Sequence, residues 1–147
     1  MLYSYSLYVK IGNPNILLVD DDTGADYERY FYEPLTFAKA YAATWEVVSK
    51  GCPTTLNDYS AVIWFTGDDR ITTLTTEEQQ VVADYLDNGG RLLITGQNIG
   101  YDLIEDGTVA DSSFYTNYLH ANYISDSTDT DIIYFLQVLF TLTIVMH

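Results

Sequence analysis

Apolar residues fall in short solid runs along this chain, with polar or helix-patterned stretches between them. Ile16–Val19, Ala61–Phe65 and Leu92–Thr95 are apolar almost throughout rather than alternating. Such runs mark strands covered on both faces, as in a central parallel sheet. Thr44–Ser49, T-W-E-V-V-S, reads as a further strand because tryptophan and valine favour a pleated surface. Between the first two strands, Asp26–Ala43 has helical spacing, with Tyr27, Tyr30, Phe31, Leu35, Ala38 and Ala42 near one face. Pro34 interrupts it and predicts a kink or a restart, since proline removes a helix hydrogen bond. Gly51–Ser60 reads as a loop. The helix before Leu92 is the best marked. Thr75-x-x-Glu78 forms a capping box, Val81, Val82, Tyr85 and Leu86 form a buried stripe, and Asn88-Gly89-Gly90 stops it.

After Leu92–Thr95 the pattern predicts a short helix over Asn98–Ile104, a polar loop over Asp106–Asp111, a helix over Ser112–Leu119 and a fifth strand over Ala121–Ile124. Leu2–Ile11 alternates loosely and reads as an exposed or edge strand. Ser125–Asp131 is a solvated linker, and Ile132–Met146 is an apolar element whose β-branched content favours strand. Strands alternating with helices predict an α/β domain with a mostly parallel central sheet. The chain of 147 residues is long enough for one such domain. It divides into an arm (1–14), a core (15–124) and an apolar C-terminal element (132–146).

Ligands of such sheets bind beyond the carboxyl ends of the strands. Three of those ends carry polar clusters: Asp20-Asp21-Asp22, Thr66-Gly67-Asp68-Asp69 and Gly96-Gln97-Asn98. Candidate ligand-binding residues are therefore Asp20, Asp21, Thr66, Gly67, Asp68, Gly96, Gln97 and Asn98. Gly96-Gln97-Asn98-Ile99-Gly100 has the form of a strand–turn–helix corner that presents one side chain at the top of a sheet. An enzyme places its nucleophile there, whereas this chain has Asn98, and an amide is not a nucleophile. Asn98 fits a structural role in the turn, since asparagine tolerates unusual backbone angles. Asp20, Asp22, Asp68 and Asp69 offer the clustered oxygens that a hard divalent cation prefers. The plainer reading is that these acids fan out into water or cap helices, as Asp22 or Thr23 would before the first helix. Cys52, the one cysteine, has Lys50 nearby but no histidine, which favours an inert thiol. His120 likewise reads as a structural histidine.

Charge narrows the partners. With 21 acids against 6 bases the formal net charge is -15, and there is no basic patch to neutralise phosphates, so nucleic acid is a poor partner. Ile132–Met146 is shorter than the ~20 residues of a membrane helix. The N-terminus has neither a basic leader nor a clean apolar core, so no signal peptide is expected.

The segments I-L-L-V-D-D-D, A-V-I-W-F-T-G-D-D, T-L-T-T-E-E-Q-Q, D-Y-L-D-N-G-G-R-L-L-I-T-G-Q-N-I-G-Y-D-L and Y-L-H-A-N-Y together resemble a family of class I glutamine amidotransferase-like domains. Those domains recur inside long secreted bacterial proteins. The resemblance covers roughly Ile16 to Tyr123. It implies a flavodoxin-like three-layer sandwich and a secreted parent, and no established function for the subfamily. The superfamily's catalytic cysteine would stand at Asn98, so its chemistry does not carry over. Both ends depart from the pattern, as a fragment or a reading frame altered near its end would.

The expected function is a non-catalytic, amidotransferase-like binding or interaction module with no organic cofactor. The alternative is a hydrolase or a cation-binding domain using the acidic crevice, with a divalent cation as cofactor. A receiver-like phosphoacceptor domain fits less well. Its third strand would end in the phosphorylated aspartate, which Ala61–Thr66 lacks, and no lysine follows a fifth strand. A homodimer through the arm or the apolar C-terminal element is expected, because both offer apolar surface without a partner of its own.

Overall fold

A computed structural model describes residues 14–126 and 143–145. The expected homodimer contacts, on 1–13 and on most of 132–146, lie outside the described residues. The architecture is α/β, a flavodoxin-like three-layer sandwich around a mostly parallel sheet. Strands β1 (Ile16–Asp20), β2 (Ala42–Glu46), β3 (Ala61–Gly67), β4 (Leu92–Gly96) and β5 (Thr143–Val145) stand in the order β2-β1-β3-β4-β5. The first four are parallel, and β5 pairs antiparallel with β4, Leu92 facing Val145 and Ile94 facing Thr143. Leu92–Thr95 therefore lies inside the sheet, as a strand feeding a ligand-side turn should.

Period-two alternation divides the strands between the two faces. Leu17, Val19, Val62, Trp64, Leu92 and Ile94 point into one core with Val82, Tyr85 and Leu86 of α3 (Thr76–Asp87), Ile99 and Leu103 of α4 (Ile99–Ile104), and Phe114 of α5 (Val109–Asn117). Leu18 and Phe65 face the other way. There α1 (Arg29–Phe37) lays Phe31 on Phe65, ring centroids 4.6 Å apart.

The capping box that starts α3 is complete. Thr75 accepts from the Glu78 backbone N–H, and the Glu78 carboxylate accepts from the Thr75 N–H at 2.7 Å. Glu78 is buried along with the apolar stripe, while Val81 is half-buried.

Four boundaries differ from the sequence reading. Helix α1 is shorter, and it runs through Pro34 without a restart. Lys39 then takes a left-handed φ of 55°. This ends the helical segment, and Ala42 joins β2 rather than the helix face. Strand β2 ends at Glu46, where its partner β1 ends at Asp20. With no neighbour left to pair, Val47–Lys50 turn into the helical α2 despite their β-branched residues. Helix α5 begins at Val109, inside the expected loop, because Thr108 and Asp111 form a second capping box. Ala121–Ile124 is not a strand, and β5 is supplied by Thr143–Val145 instead.

Along β3 and β4 the register shifts between Phe65 and Gly67: Phe65 faces Thr95 and Gly67 faces Gly96. Thr66 is the extra residue, a bulge at the carboxyl rim of the sheet.

Candidate functional site

Strand β1 ends in the acidic loop, and the chain must reverse there to enter α1. Thr23 (φ 62°) and Gly24 (φ 90°) take left-handed conformations that make the reversal. The buried Asp22 carboxylate closes the loop, Oδ1 accepting from the Gly24 N–H at 2.9 Å and Oδ2 from the Tyr27 N–H at 3.3 Å. Asp22 thus organises the approach to the helix rather than capping its first turn, where Glu28 holds the cap position.

This turn brings Glu28 back towards the strand end. Carboxylate oxygens of Asp20, Asp22 and Glu28 lie within 4.8 Å of one another. Glu28 Oε2 is shut off from solvent and accepts no hydrogen bond. Asp20 has its pKa raised from 3.8 to about 7, first by burial and then by the negative charge of Asp22, with Glu28 adding to it. Three carboxylates held this close repel one another, and a proton or a cation relieves the repulsion. Hard divalent cations bind oxygen ligands of this kind, and an unpartnered buried carboxylate oxygen fits such a role.

Asp21 points away from this trio. Its Oδ2 accepts the Trp64 indole N–H at 3.0 Å. Burial raises its pKa to about 7, with help from the charges of Glu78 and Asp69, while the Trp64 hydrogen bond acts against the rise. Adjacent aspartates on a strand end face opposite sides of the sheet, and here they sit in two separate acidic environments.

The second cluster divides its residues among several tasks. Gly67 (φ +57°) has the Tyr27 ring packed on its Cα: a side chain there would meet Tyr27 Cδ2 at 2.7 Å and Asp22 Cβ at 2.9 Å. Asp68 contacts the Tyr27 hydroxyl and raises its pKa. Asp69 closes its own loop, Oδ1 accepting from the Ile71 N–H at 3.0 Å and Oδ2 from the Thr72 hydroxyl at 2.9 Å. Thr66 is fully buried, and its hydroxyl has no hydrogen-bond partner. Gly96 leaves room for that hydroxyl, since a Cβ at 96 would overlap Thr66 Oγ1.

At the corner after β4, the Gln97 N–H donates to the Gly67 carbonyl at 2.9 Å and ties the two rims together. The Asn98 side chain donates to the Asp69 carbonyl at 3.0 Å. With φ -122° and ψ 12° it lies outside the left-handed region, so no positive φ calls for asparagine here, and its amide serves as a donor instead. Asn98, Asp68 and Asp69 are not members of the carboxylate trio.

No family model, curated protein or solved structure matches this chain. Nothing in those comparisons identifies an amidotransferase-like domain, and the resemblance rests on the quoted segments alone. Among the described residues, no helix is long and apolar enough to cross a membrane.

Two participants escaped the sequence reading. Glu28 joins the trio only through the reversal at Thr23-Gly24, and sequence spacing does not reveal that. Trp64 left a usable signal, because a tryptophan in a fully buried strand needs a partner for its N–H, and a strand-end carboxylate is a ready acceptor. Cys52 is half-buried, with its thiol pushed up to about 12 by burial and by Glu78, Glu77 and Asp21. A thiol so far from its thiolate makes a poor nucleophile. His120 is exposed at the end of α5 with a left-handed φ of 49°.

Proposed function

We propose that this domain is a non-catalytic binding module that takes a divalent cation at Asp20, Asp22 and Glu28. The observation that carries the reading is the convergence of these three carboxylates around a Glu28 oxygen that is buried and unpartnered. Glu28 would supply its unpartnered Oε2, and Asp20 would exchange its present hydrogen bonding with Asp22 for the cation. Asp22 would contribute the remaining lone pairs of oxygens already held by the Gly24 and Tyr27 amides. A bound dication offsets the repulsion that, after burial, helps to raise the Asp20 pKa to about 7.

The non-catalytic part of the proposal rests on the corner after β4. Asn98 has no nucleophilic atom, and its amide is engaged with the Asp69 carbonyl rather than directed at the acidic trio. An amidotransferase-like lineage is compatible with this reading, as a relative that kept the scaffold without the thiol.

Thermal unfolding in EDTA, and in millimolar calcium, magnesium or manganese, tests the proposal. A cation at 100 times its Kd stabilises by about 2.7 kcal/mol, which for a domain of this size raises Tm by roughly 5–10 °C. Glu28→Gln and Asp20→Asn should each remove most of that rise while still folding in EDTA. The reading fails if none of the three ions moves Tm, or if Glu28→Gln responds as fully as the wild type.

A further inference from the structure

We draw no further inference here: the strongest candidate, the patch of exposed side chains Tyr30, Phe37, Tyr41 and Val48 along α1, the β2 edge and α2, carries nothing because nothing in the structure shows what covers it.

Discussion

Replacing Asp21 by asparagine isolates one electrostatic cost in this fold. Asparagine keeps the shape and an oxygen acceptor for the Trp64 indole, but it carries no charge to bury. The wild-type carboxyl is raised from 3.8 to about 7. A carboxyl raised on folding binds its proton more tightly in the native state. Its contribution is therefore fully present below pH 3.8 and is lost as pH rises through 7. About three pKa units at 1.36 kcal/mol each set a ceiling of ~4 kcal/mol. Asp21 is only half-buried, so solvent screening reduces this to ~2 kcal/mol. A comparison of pH 4.5 with pH 8 crosses most of the window and should read ~1.5 kcal/mol. Asp21→Asn should thus be more stable relative to wild type at pH 8 than at pH 4.5, by that amount. The Trp64 indole bonds the charged carboxylate more strongly than the neutral acid, and that difference is already contained in the net rise to about 7. Urea unfolding followed by tryptophan emission, with EDTA present throughout, gives the four free energies. If the variant differs from wild type equally at the two pH values, Asp21 does not carry the raised pKa and the two-environment description of the acidic loop is wrong.

Gly96→Ala should destabilise by about 1–3 kcal/mol through overlap with the Thr66 hydroxyl. Adding Thr66→Ala should recover part of that loss, and a purely additive double mutant in urea melts would show that the contact is not the cause. Thr75→Ala should cost about 1 kcal/mol by opening the capping box of α3, read as a shift in the denaturation midpoint. Asn98→Ala should cost about 1 kcal/mol by freeing the Asp69 carbonyl. Glutaminase and esterase assays on the wild type should stay at background, and any turnover that Asn98→Ala abolishes would make the corner catalytic.

The solid apolar runs and the Thr75 box made β1, β3, α3 and β4 legible, because those elements are fixed by burial on both faces or by a local cap. The region from Pro34 to Lys50 departs from its local pattern because its boundaries depend on partners. Strand β2 stops where β1 stops, and no local propensity records that. The start of helix α5 is less plain in the pattern, because Thr108-x-x-Asp111 carries the box with aspartate in place of glutamate. At the site, the strand-end positions of Asp20, Asp22, Asp69 and Asn98 were readable, but their tasks were not. Which way Asp21 faces, the return of Glu28 and the self-closing of the Asp69 loop all depend on turn geometry that spacing does not encode.

The bulge at Thr66 also bears on how the rim can vary. An extra residue at the last step of β3 separates the pairing of Val62–Phe65 with Leu92–Thr95 from whatever follows Gly67. Insertions or deletions between Asp68 and Thr72, ahead of the buried Thr73 that is tied to Asp102, then alter the shape of the strand-end rim without propagating a slip down the ladder, where one residue of slip would turn every side chain to the opposite face. Just past that joint, loop length becomes a parameter that can drift through mutation while the hydrophobic framework beneath it stays in register.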